Sequence, residues 1–466
     1  MVHTTIKSCE VSMESLWRQQ TEKIESNHYF LQGSIRESHW DVVVIGAGMA
    51  GILIAYYLQK QGKRVLIVEA KTIASGQTER TTAKITSQHG LKYAELIRTV
   101  GEEKAKLYAM ANQQAISQYA RLIKDEKIDC QFEWVDSYLY SISQKYILME
   151  EAKVAKHFGI QAEFVEKTEL PFAVKGAVRF ENQAQFFPLK FIKSLSEELN
   201  VLEHTLVTEI KDCWVVTDKG ILTADDIVVT THYPIKDVPG FYFLRQHQER
   251  SYVLALANTE PIKNMYYGID ENGLSFRQAG EYLLLGGSSH RTGHIYGKKG
   301  NTRTRSVSAY GHLREAAKNY FPKAKEVAYW SAQDCMPHDG IPFIGKYSVF
   351  TPHLYVATGF QKWGMSTSMI AAKVICDEIC GEKNPYESLF TPQRLLVRAG
   401  SKELLKDIGI SAGNLTKGLF GKRRCSHMGC ALIWNPETKS WDCPCHGSRF
   451  DEDGKVLDNP AKKDIS

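Results

Sequence analysis

The sequence carries almost no surplus of either charge. Its 466 residues hold 58 Lys+Arg against 53 Asp+Glu, a net +5, whereas a dedicated nucleic-acid binder has a marked basic excess. No nucleic-acid partner is expected. Repeats and low-complexity tracts are absent, and a composition 43% hydrophobic and 24% charged excludes collagen-like and wholly disordered chains. Residues 1–20 have no apolar core such as a secretory signal needs. Long apolar runs are nearly missing too. Residues 42–58 are 17 uncharged, mostly apolar positions, at the lower limit for crossing a bilayer. Their glycine spacing fits a strand–turn–helix unit better, so no integral membrane segment is expected. Cysteine is sparse over most of the chain: Cys9, Cys130, Cys213, Cys335, Cys376 and Cys380 are scattered. That argues against a secreted disulfide scaffold and for a reducing, cytoplasmic setting.

The length predicts about three domain-sized units. Residues 1–38 are polar, with a short helix expected over 13–24 and Trp17 as a packing anchor. Val42-Val-Val-Ile45 reads as a strand buried on both faces of a parallel sheet. Residues 52–61 read as a helix closed by Gly62, and residues 64–69 as a second strand. Together they make a βαβ unit. Helical periodicity covers 93–123 and 189–199. Strands are expected at 201–210, 214–217, 227–231, 282–286 and 354–358, and a helix at 365–380. A sheet interrupted by a large insertion fits this order. A break falls around 384–401.

Gly46-Ala-Gly48-Met49-Ala-Gly51 joins the first strand to its helix. Gly46 permits a sharp turn, Gly48 lets the backbone approach a pyrophosphate, and Gly51 allows tight packing of helix on strand. The amides near Met49 lie at the positive end of the helix dipole. Glu69 ends the second strand, placed for an adenosine ribose. The chain has no second such glycine motif, so a tightly held FAD is a better reading than a nicotinamide cofactor.

The stretches Gly76-Gln-Thr78 … Thr81-Thr-Ala-Lys84 and Asp339-Gly-Ile-Pro-Phe-Ile-Gly345 … Tyr355-Val-Ala-Thr-Gly359 resemble the flavin-contacting segments of the glycine oxidase/D-amino-acid oxidase superfamily. The likeness spans about residues 38–390. It implies that Thr82 lies along the flavin and Gly359 beneath its ring. Ser366 and Thr367 are placed to cap the following helix, whose dipole would favour negative charge on reduced flavin.

Four cysteines crowd the end of the chain, in Cys425-Ser-His427-Met-Gly-Cys430 and Cys443-Pro-Cys445-His446-Gly-Ser448. Two Cys and two His invite zinc. Zinc ligands on one loop, however, are usually separated by two to four residues, and only one separates Cys425 from His427. Ligands so close can serve two adjacent irons. A Rieske cluster uses two thiolates on one iron and two imidazoles on the other, here Cys425 and Cys443, His427 and His446. Zinc or another metal is the alternative. The motif pair resembles the two Rieske boxes almost letter for letter. That resemblance implies a [2Fe-2S] cluster, a Cys430–Cys445 disulfide and a Ser448 hydroxyl on a bridging sulfide. Phe450 stands where high-potential members carry tyrosine, implying a lower potential within the Rieske range of about −150 to +300 mV. Residues 401–424 look too short and too polar to supply the strands that normally precede the first box, so the base beneath the loops is expected to be truncated. Lys422-Arg-Arg424 reads as a solvated basic turn.

The expected fold is therefore α/β. A Rossmann-like FAD-binding part (39–90, 180–235, 335–390) is interleaved with an α+β substrate part (91–179, 236–334) within 39–395. A small, shortened all-β Rieske-type unit follows at 396–466. Flavin takes two electrons at once and the cluster passes one at a time. The expected function is an FAD-dependent oxidoreductase of amine or amino-acid dehydrogenase or oxidase type. It would act on the C–N bond of a small-molecule substrate and send electrons through the cluster to an external acceptor or carrier. The alternative is a non-catalytic flavin/iron–sulfur carrier or redox sensor. Arg250, Arg277 and Arg291 are candidates for a substrate carboxylate, although arginines usually lie at the surface. His290 and His338 are candidates near the amine, and Lys362 and Trp363 for the flavin face. Lys362, His290 and Arg291 are the catalytic candidates. If the units are separable, Cys425→Ser loses the cluster and leaves FAD bound.

Overall fold

The computed structural model describes residues 11–24, 39–297, 308–394, 397–420 and 423–465. Cys9 and Lys422 lie outside the described residues, as does most of the polar N-terminal extension.

An eight-stranded sheet carries the nucleotide fingerprint. Its main path runs Phe343–Lys346, Leu354–Thr358, Gly220–Val229, His39–Ile45, Val65–Val68, Asn200–Leu202. His39–Ile45 pairs in parallel with both of its neighbours. Val42, Val43, Val44 and Ile45 are buried, as a strand covered on both faces requires. Each such side chain contributes about 1.5–3 kcal/mol of burial. A nine-stranded, mostly antiparallel sheet comes from the interleaved segments. In it Gln246–Ala257 lies between Lys325–Pro337 and Tyr282–Arg291. A four-stranded antiparallel sheet, Ile433–Asn435, Ser440–Asp442, Arg449–Phe450 and Val456–Asp458, closes the chain. The class is α/β with a small all-β C-terminal sheet.

Several elements differ from the sequence pattern. The helix expected over 93–123 is two, Lys92–Val100 and Glu102–Asp125. Gly101 between them adopts φ +91°, a conformation that a helix cannot continue through. The strand expected over 201–210 splits into Asn200–Leu202 and Val207–Lys211. The N-terminal helix shrinks to the single turn Leu16–Gln19. Trp17 is an anchor: its ring meets Phe187 at 5.0 Å and its indole N–H donates to the Thr81 carbonyl at 2.7 Å. Among the described residues of 401–424, none forms a strand ahead of the first cysteine box. The helix Val397–Phe420 runs through most of them.

Candidate functional site

The fingerprint turn owes its shape to contacts that only glycine permits. A Cβ on Gly51 would sit 1.9 Å from the Gly46 carbonyl oxygen, and Gly46 itself adopts φ +109°. A Cβ on Gly48 would stand 3.2 Å from the Thr78 hydroxyl. The Met49 amide, at the start of the helix Met49–Lys60, donates to Thr78 Oγ1 at 3.0 Å. The Glu69 carboxylate accepts the amides of Ala47 at 2.8 Å and Lys71 at 2.9 Å. Burial raises its pKa, against the pull of those amides.

A cavity of about 620 Å³ runs from Glu69 and Gly48 past Thr82 to Gly359 and Lys362. Its volume and its lining by Gly46, Gly48, Met49 and Glu69 fit a dinucleotide. Lys362 faces it with Trp363 beside it. The Lys362 ammonium lies 3.1 Å from Asp334 and 3.2 Å from Glu249, and donates to Ser251 Oγ at 3.0 Å. Burial alone would lower its pKa, but Asp334 and Glu249 hold it above the usual lysine value. Lys362 is therefore a fixed ammonium and a poor base. Lys84 also lines the cavity. It donates to the Tyr266 carbonyl at 2.7 Å and Ser275 Oγ at 2.6 Å. Burial and then Arg277 push it down to about 7.

The three candidate arginines are buried or largely so, not at the surface, and none lines this cavity. Arg250 is bonded to Ser331 and lies 3.5 Å from Gln333 Oε1. Arg277 donates to Gln185 Oε1 at 3.1 Å and to the carbonyls of Thr82 and Phe186 at 2.6 and 2.7 Å. Arg291 reaches the C-terminal unit. His290 stacks on Tyr252 at 5.5 Å, and His338 Nε2 donates to the Asp407 carboxylate at 2.7 Å. Neither lines the cavity. Ser366 and Thr367 do not cap their helix. Gly364–Ile379 starts with Trp363 at its N-cap and no side-chain cap bond, which puts Ser366 and Thr367 inside its first turn; Ser366 Oγ lies 3.2 Å from His89 Nε2.

The two cysteine–histidine loops meet. Cys425 and Cys443 are buried and share a hydrogen bond, which pushes the Cys425 thiol down to about 6 and the Cys443 thiol up. The rings of His427 and His446 lie 5.1 Å apart at 86°. Both Nδ1 atoms are buried without a hydrogen-bond partner. Burial, then His427, lowers His446 to about 3, so it is neutral, as a metal ligand must be. Two hydrogen-bonded thiols and two orphaned imidazole nitrogens could supply the donor set of a mixed sulfur/imidazole cluster. His427 Nε2 is 3.1 Å from Asp237 Oδ1, an outer carboxylate of the sort that orients ligating histidines. Cys430 stands opposite Cys445 with Cα atoms 6.8 Å apart, within reach of a disulfide. The Ser448 hydroxyl contacts Cys425 and accepts the Ala461 amide at 3.0 Å.

The family model for FAD dependent oxidoreductases (DAO) matches residues 41–378. The chain belongs to this family. A Rieske [2Fe-2S] domain model matches residues 417–466. The chain is thus an FAD-dependent oxidoreductase with a C-terminal Rieske domain. It is 34% identical to the putative Rieske 2Fe-2S iron–sulfur protein YhfW of Bacillus subtilis, over 92% of this chain and 93% of that protein. Its C-terminal part is 33% identical to the cytochrome b6-f complex iron–sulfur subunit of Nostoc punctiforme, over 26% of this chain and 65% of that one. In fold it is similar to glycine oxidase from Geobacillus kaustophilus, with TM-score 0.63 and 17% identity, over 77% of this chain and 100% of that one. It is also similar to L-amino acid deaminase from Proteus myxofaciens, with TM-score 0.62 and 17% identity, over 82% and 97%.

In this DAO–Rieske chain the flavin-domain cavity has a Rieske wall: Leu457, Asp458, Asn459 and Lys462 line it. Lys71 donates to the Leu457 carbonyl at 3.0 Å. Asn459 donates to the carbonyls of Thr231 and Tyr233 at 2.9 and 2.6 Å. The C-terminal unit thus lies directly against the oxidoreductase domain. Asp237, Asp407, Gln248 and Gln333 were invisible to sequence reading, since no local motif marks them and their side-chain partners lie 69 to 211 residues away.

Proposed function

We propose that this oxidoreductase oxidises the C–N single bond of an amine bearing a carboxylate to C=N, two electrons and two protons leaving the substrate. FAD is the acceptor when bound, and electrons leave through the [2Fe-2S] cluster to an external one-electron acceptor. The carrying observation is that one cavity is walled both by the glycine fingerprint and by the Rieske segment 457–462. Fingerprint residues Gly46, Gly48, Met49, Gly51 and Glu69, with Thr82 and Gly359, hold the flavin nucleotide in this reading. Cys425, His427, Cys443 and His446 hold the cluster, and Cys430 with Cys445 forms its flanking disulfide. The domain division 39–395 and 396–466 follows from the same reading. Lys84 supports the carboxylate. It is a buried lysine that pairs with no carboxylate among the described residues and has two of its three donors used, so an anion entering the cavity would restore its charge. Fold similarity to amino-acid oxidising enzymes supports the substrate class.

The test is an anaerobic screen of amino acids and amines against the purified holoprotein. Bleaching of the flavin spectrum followed by the signal of the reduced cluster supports the reading. If no candidate bleaches the flavin and only a reductase does, the chain is a carrier instead.

A further inference from the structure

Four successive carbonyls of the second Rieske box are taken by side chains of the oxidoreductase domain. Arg291 donates from Nε to Pro444 O and from a terminal nitrogen to Cys445 O, both at 3.0 Å. Gln248 Nε2 donates to His446 O at 2.7 Å and to Asn459 O at 3.1 Å. Gln333 Nε2 donates to Gly447 O at 2.6 Å and to Gln248 Oε1 at 2.7 Å. Both glutamines are buried, 1% exposed. They come from neighbouring antiparallel strands, where Gln248 faces Cys335, so Gln333 is its diagonal neighbour on the same face. Each amide spends both of its donors, and three of the four bonds enter the Rieske domain. The approach is close. A Cβ on Gly447 would stand 2.6 Å from Gln248 Cβ, and one on Gly293 would stand 2.5 Å from Pro444 N. Gln333 also lines the flavin cavity, and its backbone amide donates to Gln77 Oε1 at 2.7 Å, beside the fingerprint. One residue therefore touches the cavity and the loop that bears His446.

We propose that Gln248, Gln333 and Arg291 are positioning residues that lock the cluster-bearing loop onto the flavin cavity, making the Rieske domain a fixed electron port. Buried amides carry this contact well. A carbonyl that lost its donor here would be left desolvated and unpaired, so the loop has one favoured seat. Each two-electron oxidation of substrate then needs two single-electron passages across the contact. With FAD and the cluster bound, the electrons would cross this contact one at a time, an external one-electron acceptor would take each onward, and the substrate's two protons would pass to water. This inference rests on the FAD-plus-cluster reading above.

Iron, acid-labile sulfide and FAD are assayed first on the wild-type holoprotein; absence of either group overturns the underlying reading and this proposal with it. With both present, a nitroxide is placed on Cys213, an exposed cysteine of the oxidoreductase domain, and its distance to the reduced cluster is measured by pulsed electron paramagnetic resonance. A single narrow distance is expected; a broad or two-peaked distribution overturns the fixed port without touching the cofactor assignment. Gln248→Leu and Gln333→Leu keep volume and remove donors. The cluster signal is expected to persist in both variants, and FAD content in Gln248→Leu, which does not line the cavity, while the distance distribution widens. Flavin-to-cluster electron exchange after flash reduction is expected to slow about 10-fold or more. Unchanged exchange in a variant that keeps both cofactors also overturns the proposal. If the variants do not fold, the wild-type distance decides.

Discussion

At the scale of single residues, the site separates those whose chemistry is local from those whose chemistry is borrowed. Gly51 is local. A methyl group there meets the Gly46 carbonyl at 1.9 Å, a backbone clash with no flexible partner to yield. Gly51→Ala is expected to yield protein without bound flavin, read as the ratio of visible to ultraviolet absorbance. Lys84 is borrowed. Its depressed pKa comes from burial in the second sheet, with Arg277 adding to it. The unfolded chain binds more protons than the folded one between about 7 and 10.5, so this group makes stability rise with pH across that window. Lys84→Met is expected to be more stable than wild type below pH 7, with the gap closing toward 10.5. Denaturant midpoints at several pH values measure this. On the proposed function it also raises KM for the substrate more than it lowers kcat. Lys362 was legible as a cavity residue because it follows Gly359. Its pairing with Glu249 and Asp334 was not, since three separate strands and turns bring those groups together.

At the scale of elements, the βαβ unit and the two cysteine boxes were readable from spacing because turn chemistry and ligand geometry act over a few residues. The helix Val397–Phe420 was not, because its role depends on what it packs against. It carries Asp407, whose carboxylate binds Arg291, lies 3.2 Å from His247 Nδ1 and 2.7 Å from His338 Nε2. Burial alone would raise that carboxyl, but the two histidines beside it and the Arg291 charge hold it well below the usual carboxylate range. Its contribution to stability is present above the ordinary carboxylate pKa and is lost as the solution becomes strongly acidic. The helix thus steadies Arg291, which in turn holds the second box. Asp407→Ala leaves a buried arginine without its carboxylate and is expected to cost about 3–5 kcal/mol, measured by thermal or denaturant unfolding. A change near zero would show that the ion cluster is dispensable.

At the scale of the whole molecule, the two cofactor domains are not independent. Read as a sequence, Cys425→Ser loses the cluster and spares the flavin. The Rieske segment 457–462 forms part of the flavin cavity wall, so the expectation changes. Loss of the cluster should loosen that wall and speed FAD release, measured by dialysis or fluorescence of freed flavin. Retention equal to wild type would show that the wall stands without the metal. No described helix is long and apolar enough to cross a membrane, which agrees with assigning residues 42–58 to a strand and helix of the core. The sequence by itself determined the glycine fingerprint, the four metal-ligand candidates and the α/β class. Each depends on steric limits and ligand spacing acting between near neighbours. Only the tertiary structure decided the seat of the Rieske domain, the fate of the three arginines and the partners Asp237, Asp407, Gln248 and Gln333. Those bonds join residues far apart in the chain, and a buried polar group takes whatever partner the fold carries to it.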